Sequence, residues 1–365
     1  MKIAYLGRYN PSEELTGPEK VAKRIFKKSA EQNEAVFIEY YFDGSVYGIR
    51  KKLLGKEIID YSNGLKIYRI GLLKMISFLF NFKPDLIQII TFERFSILAY
   101  LYKAFSKVKI IYNVHGVAVY ENENFKNVSA SLKIKDSLCE KIFLKFSDKL
   151  LFLSDFQLGI AKKYYTIKKN QLEFISNGID EEFHCQNRSV STSNTPSLVF
   201  IGDSDRKDKD FNFLYSSLSM INTDCKLFLI GKFDKSIYKT VAGNVEIVNV
   251  SKMNKSELVN FLSNKDIFVS SSFYDTFSIA AAECMSVGLV PIVTNHTGIS
   301  GLIKNNDNGF VVRHGDVNEL AGKINLLLEN PELREKISEG ARKIYVELNW
   351  DKVYSSYEKI YKDLS

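Results

Sequence analysis

Two carboxylates, Asp275 and Glu283, stand with seven residues between them in the run SSSFYDTFSIAAAECMSVGLVPIV, positions 270–293. The apolar residues 267–269 before them read as a buried strand, and 271–275 as the loop at its C-terminal end. Thr276 or Ser278 is expected to cap a helix running through Glu283, with Gly288 ending it. Residues 290–293 open the next strand, with Pro291 near its start, where a missing N–H is tolerated. In open α/β sheets ligands lie beyond the C-terminal ends of the strands. A helix N-terminus there offers free N–H groups and a positive dipole end, suited to a phosphate. Ala280, Ala281 and Ala282 leave room for close approach. Two acids so placed can both face one bound molecule and accept hydrogen bonds from sugar hydroxyls. On spacing alone the plainer reading, a loop aspartate and a solvated helix glutamate, is favoured.

Further candidates sit at other strand ends. The run Asp203-Ser204-Asp205-Arg206-Lys207-Asp208-Lys209 follows a strand at 198–201 and Gly202. It has two readings. Asp203 and Asp205 form an Asp-x-Asp able to hold a divalent metal. Arg206, with Lys209 or Lys207, forms a clamp in which a guanidinium fork and an ammonium replace a metal at a leaving diphosphate. His115-Gly116 ends a strand at 109–114, a position that favours a site role over a structural one.

The elements that must position these residues alternate. Strands are expected at 2–6, 36–41, 67–70, 86–90, 109–114, 149–153, 172–175, 198–201, 226–230, 245–250, 267–270 and 290–293. Helices are expected between them, at 18–31, 72–82, 95–105, 256–263, 317–328, 331–347 and 350–364, among others. Such alternation means parallel sheets covered by helices on both faces. The run 186–197 is polar and reads as a linker, and Asn177-Gly178 suits a turn needing positive φ. The expected division is 1–180, a linker at 181–197, a second domain at 198–348 and a terminal helix at 349–365.

Composition bounds the function. Of 365 residues 45% are hydrophobic and 25% charged, which excludes a disordered chain and allows two domains. The formal charge of +7 is unevenly spread. Residues 1–180 hold 29 Lys/Arg against 19 Asp/Glu, and the remainder 21 against 24. That basic half suits an anionic partner such as a membrane surface or lipid phosphate, and equally a solvated lysine-rich surface. Lys20, Lys23, Arg24, Lys27 and Lys28 lie opposite Val21, Ile25 and Phe26 on the first helix, a basic amphipathic pattern. Cys139, Cys185, Cys225 and Cys284 form no C-x-x-C pair, which argues against zinc or a disulfide framework and fits a reducing cytoplasm. The start of the chain reads as a strand rather than a signal peptide, and no apolar run is long enough to span a bilayer.

The stretch 275–291 resembles the acidic-x7-acidic signature of retaining GT-B glycosyltransferases, most like glycosyltransferase family 4. Ala282-Glu283-Cys284-Met285 with Gly288 and Pro291 is similar to that family's Glu-Ala-Met-Ala-x-Gly-x-Pro run. Asp275 stands where Glu is usual, and Thr276 and Ser278 replace the glycines flanking Phe277. Asn177-Gly178-Ile179-Asp180 and Asn308-Gly309-Phe310 resemble further family runs, and Asp203 stands where the family carries Arg. The resemblance implies an α/β GT-B fold, two Rossmann-like domains facing each other across a cleft, with the last helix crossing back to the first domain. It implies transfer of a sugar from a nucleotide-sugar donor, UDP-sugar before GDP-sugar, to a saccharide acceptor, with no cofactor; the Arg/Lys-rich loop at 203–209 and the lack of His/Cys ligand clusters add the expectation of no metal. A lipid-linked acceptor, peripheral contact with an anionic membrane and no nucleic-acid partner complete the expectation. The implied roles give Glu283 the ribose, Asp275 the sugar hydroxyls, and Arg206 and Lys209 the leaving diphosphate. Lys207, Gly202 and the start of the helix at Thr276, Phe277, Ser278 and Ile279 line the phosphates. Val250 and Ser251 lie near the base, and His115 and Gly17 contribute from the first domain. A nucleotide-sugar epimerase or hydrolase of the same fold, or a degenerate non-catalytic partner subunit, are the alternatives.

Overall fold

The computed structural model describes residues 1–9, 17–41, 49–59, 64–184, 195–233 and 244–364. The chain forms two units, each built on its own sheet. The first comprises Met1–Leu153, Gln157–Ser176 and Val353–Ser365. Its strands are β1 Lys2–Leu6, β2 Glu34–Glu39, β3 Lys56–Ile59, β4 Ile67–Ile70, β5 Leu86–Ile89, β6 Lys109–Val114, β7 Lys149–Phe152 and β8 Leu172–Phe174. They lie in the order β3-β4-β2-β1-β5-β6-β7-β8, parallel except for β3 against β4. Central β1 is a run of Ile3, Ala4, Tyr5 and Leu6, all fully buried, as expected of a strand covered on both faces. The part of the last helix, Trp350–Leu364, that belongs to this unit feeds tyrosines into the same core. Tyr357 Oη accepts from Asn113 Nδ2 at 2.7 Å, and Tyr361 Oη lies 3.0 Å from Tyr5 Oη and bonds Gln88.

The second unit, Ser154–Phe156 and Asn177–Lys352, holds β9 Ser197–Ile201, β10 Cys225–Ile230, β11 Val245–Val250, β12 Ile267–Ser270, β13 Val290–Thr294 and β14 Phe310–Val312. Their order is β11-β10-β9-β12-β13-β14, all parallel. The sequence runs outward from β9 to β10 and β11, then returns to pair β12 on the other side of β9. This makes β9/β12 the topological switch point, where such sheets bind ligands.

Several local expectations need correcting. Strand β3 is unforeseen, because its pattern Lys-Glu-Ile-Ile is half polar and Ile58 is exposed on an edge. Neither Asn177 nor Gly178 has positive φ. Glycine is required at 178 because a Cβ there would lie 2.4 Å from the Trp350 ring. Asn177–Asp180 belongs with the second unit. Ile179 N–H donates to the Leu348 carbonyl at 2.7 Å, and Trp350 Nε1–H to Asp180 Oδ1 at 2.8 Å. Residues 185–194, most of the expected linker, lie outside the described residues, and Ser197 already belongs to β9. The expected helix 331–347 is two, Pro331–Arg342 and Ile344–Leu348.

Candidate active site

Strands β9 and β12 are neighbours although about seventy residues separate them, so the loops that follow them meet. The first runs from Gly202 through the 3₁₀ turn Lys207–Lys209 to Asp210; the second runs from Ser271 to Ser278. A Cβ on Gly202 would come within 3.3 Å of Lys209 Cγ, so its absence lets the lysine stem lie across the strand end. Ser271 Oγ donates to the Lys209 carbonyl at 3.0 Å, and the N–H groups of Phe273 and Tyr274 donate to the Asp208 carbonyl at 2.9 and 3.2 Å. These bonds aim Lys209 at Asp275, and Nζ reaches Oδ2 at 2.6 Å.

Asp275 is fixed from the other side by the loop after β13. Its N–H donates to the His296 carbonyl at 3.1 Å, Gly298 N–H to the Asp275 carbonyl at 2.8 Å, and Ile299 N–H to the Phe277 carbonyl at 2.8 Å. Gly298 presses so close that a Cβ would lie 1.9 Å from the Thr276 carbonyl oxygen. Burial pushes the Asp275 carboxyl upward. The Lys209 ammonium and the backbone N–H groups of Phe277 and Ser278 outweigh burial, so its pKa lies below the ordinary aspartate value. An ionised carboxylate thus lies against an ammonium at the switch point.

The helix Ile279–Ser286 begins here, and Glu283 lies one turn inside it, partly exposed. Its end is as expected, with Gly288 at φ 97° and its N–H donating to the Met285 carbonyl. Its start is not. Ser278 occupies the cap position in the left-handed region, φ 75° and ψ 77°, and makes no side-chain cap bond. Thr276 lies two residues before that cap position, and the neighbouring Phe277 N–H donates to Asp275 Oδ1 at 3.2 Å. Positive φ at this buried serine accounts physically for the glycine that the resembled signature carries at this point. A non-glycine residue in that region costs about 1–2 kcal/mol, of which glycine's unfolded-state entropy returns about 0.5–1 kcal/mol. Ser278→Gly is therefore expected to raise the thermal midpoint of this unit by about 2 °C. A melting curve checks this, and an unchanged or lower midpoint would contradict it.

The other expected residues are placed as follows. Arg206 lies in the β9 loop but forks onto Asp208, with Nε to Oδ1 at 2.7 Å and Nη2 to Oδ2. Its pKa is raised by the Asp208 hydrogen bond, and the charges of Asp208, Asp275 and Asp203 act in the same direction. Lys207 is exposed in the 3₁₀ turn. Asp203 Oδ1 accepts from Lys232 N–H at 2.8 Å, tying the ends of β9 and β10 together. Among the described residues no group of three or more His, Cys, Asp or Glu side chains gathers in a metal-binding arrangement. Val250 ends edge strand β11, and Ser251 is exposed beyond it. In the first unit, Gly17 opens the helix Gly17–Gln32, and His115 follows β6. Burial pushes the His115 imidazole down to about 4, against a hydrogen bond to the Ile90 backbone, so it is neutral at pH 7.

Sequence reasoning missed a group beside the Lys209–Asp275 pair. Asp210, at φ 42°, caps the helix Phe211–Leu218 through Phe213 N–H and lies 2.8 Å from His314 Nε2. His314 stacks on His296 with ring centroids 5.2 Å apart, and His296 stacks on Phe156 at 5.6 Å. The signal was present: His314-Gly315 follows β14 as His115-Gly116 follows β6.

A family model described as Glycosyl transferases group 1 matches residues 185–344, and one described as Glycosyltransferase Family 4 matches residues 51–183. An uncharacterized glycosyltransferase of Methanocaldococcus jannaschii is 24% identical over 297 residues, covering 75% of this chain and 83% of that protein. The capsular polysaccharide biosynthesis glycosyltransferase CapM of Staphylococcus aureus is 26% identical over 280 residues, covering 69% of this chain and 71% of its own. The crystal structure of Anabaena HepE in complex with UDP superposes with a TM-score of 0.73 at 14% identity, covering the whole of both chains.

Proposed function

The chain belongs to the group 1 glycosyltransferases of the family 4 type, with the GT-B fold of two Rossmann-like domains, and from that premise we propose that it is a retaining enzyme. It moves a sugar from a nucleoside diphosphate sugar to a saccharide acceptor. The observation that carries this reading is the Lys209–Asp275 pair at the switch point, beside a helix N-terminus with Glu283 one turn further on. The glycosidic bond to the β-phosphate breaks as the acceptor oxygen bonds the anomeric carbon on the same face. The acceptor proton leaves with the diphosphate. Lys209 neutralises the charge that develops on the departing phosphate oxygen. Asp275, held ionised by that same lysine, accepts from sugar hydroxyls, and Glu283 accepts from the ribose. Arg206 reaches a phosphate only by leaving Asp208, so Lys209 ranks first. Val250 and Ser251 flank the base. No side chain is assigned as a covalent nucleophile.

UDP is the favoured nucleotide, supported by the UDP complex of the Anabaena neighbour. A lipid-linked saccharide of a surface polysaccharide or lipopolysaccharide is the favoured acceptor. The capsular role in the name of the staphylococcal relative and the basic first half of the chain support it. No described helix is long and apolar enough to cross a membrane; the lipid contact we propose is peripheral. The leaving group is handled by cationic side chains and not by a metal. Transfer is therefore expected to continue undiminished in excess EDTA. Loss of activity on chelation, restored by Mn²⁺, would return the Asp203-x-Asp205 reading.

A further inference from the structure

The helix Ala130–Phe146 of the first unit turns Glu140, Phe143 and Leu144 into the core. Its opposite side is not the polar face such a helix ordinarily presents. Ile134, Leu138, Ile142 and Phe146 recur every four residues, so each lies about 40° round from the last, on the side away from that core. Ile134 is 61% exposed, Leu138 56% and Phe146 51%. Lys135, Lys141 and Lys145 interleave with them, and Lys145 Nζ lies 5.2 Å from the Phe146 ring centre. The acids of this helix face elsewhere: Glu140 accepts from Ala118 and Val119 N–H, and Asp136 is engaged by Arg94 and Asn122. Beside the stripe a groove of about 790 Å³ runs against the helix Ile97–Lys103, lined by Ile97, Leu101, Ile142 and Phe146 together with Lys168 and with Asp148, which Lys103 pairs.

We propose that this stripe is the surface by which the enzyme lies on an anionic bilayer. The apolar side chains would sink into the headgroup boundary, with the interleaved lysines reaching lipid phosphates. The charge pattern selects this occupant, because a neutral protein groove gives alternating lysines no counter-charge. It deepens the peripheral-membrane part of the proposed function and places the contact on a helix other than the basic Gly17–Gln32. There Val21, Ile25 and Phe26 are buried and unavailable to lipid.

The test is co-sedimentation of the full chain with vesicles of phosphatidylcholine alone or mixed equally with phosphatidylglycerol. It compares wild type, the triple variant Ile134→Gln/Leu138→Gln/Phe146→Gln, and Lys23→Glu/Lys27→Glu/Lys28→Glu. Wild type is expected to bind the mixed vesicles, less so as salt rises. The stripe variant should lose about tenfold or more of that binding, with its thermal midpoint and UDP affinity unchanged. Equal binding by the stripe variant, or no binding by wild type, overturns the proposal. So does a lipid-free dimer that the stripe variant dissolves, since a second copy would then cover the stripe. Loss of binding only in the Lys23/Lys27/Lys28 variant would move the contact to the first helix and also overturn it. Vesicle binding through the stripe with no UDP binding would uphold this inference while removing the catalytic reading.

Discussion

Lys209→Met is expected to lower the rate of transfer by about 100- to 1000-fold, the loss typical of removing one preorganised group at a developing oxyanion. Methionine keeps the length and apolar stem that cross Gly202, so the loop keeps its packing while the ammonium is lost. The same change should also destabilise the second unit, because Asp275 would keep its buried carboxylate without a counter-ion. Breaking a buried pair costs about 3–5 kcal/mol. The Lys209 and Asp275 side chains are 20% and 14% exposed, so about 2 kcal/mol is the better expectation after solvent screening. The pH dependence has a definite sign. The folded pKa of Asp275 is depressed, so its contribution is present above the unfolded aspartate value of about 3.9 and is lost as pH falls through the folded value. The stability gap between wild type and Lys209→Met should therefore be widest near neutrality and narrow toward pH 3. Denaturant titrations at a series of pH values measure it. A gap that is constant with pH would mean that the pair contributes no electrostatic stability.

Glu283→Gln and Asp275→Asn should act on different parts of the donor. Glutamine keeps the shape of Glu283 and removes the charge that we propose receives the ribose hydroxyls. Charge-assisted hydrogen bonds contribute about 1.5–3 kcal/mol, so UDP affinity should fall about ten- to a hundredfold. Asparagine at 275 still accepts from Phe277 N–H through its amide oxygen, so the helix start survives. It no longer holds Lys209 by charge, and it offers sugar hydroxyls a weaker acceptor. Transfer should therefore fall while UDP affinity stays nearly unchanged. Calorimetric titration of UDP into both variants, each checked for folding by circular dichroism, reads the contrast. If Glu283→Gln binds UDP as wild type does, Glu283 is not the ribose ligand.

The legible parts of this molecule are those whose signal is local. Strand β1 and the helices Leu72–Phe82 and Trp350–Leu364 follow from apolar period and breakers, and fall where the residues place them. Asp275, Glu283 and Gly288 could be ordered along one loop and helix for the same reason. What the sequence hides is pairing across distance. That Lys209 meets Asp275 depends on β12 returning to the side of β9, which no local pattern records. Two hydroxyls, Thr276 and Ser278, suit the cap of the helix Ile279–Ser286 by local pattern, whereas the Asp275 carboxylate accepts from Phe277 N–H and Ser278 is left-handed with no side-chain cap bond. Beside Asn177, Gly178 looks like a turn glycine, whereas its reason is Trp350, far along the chain. The Asp210–His314–His296 group combines three separate loops and so had no contiguous motif.

Retaining transfer from a nucleoside diphosphate sugar through Lys209 and Asp275 is the reaction we propose for this protein. The most direct test incubates wild type and Lys209→Met with a panel of UDP-, GDP- and ADP-sugars and saccharide acceptors. It follows nucleoside diphosphate release and reads the anomeric configuration of the new linkage by NMR. Wild type should release diphosphate from at least one donor, UDP-sugars first, and form a product with the donor's anomeric configuration, while Lys209→Met should be nearly silent. Release from no donor, an inverted product, or a Lys209→Met variant as fast as wild type would contradict it.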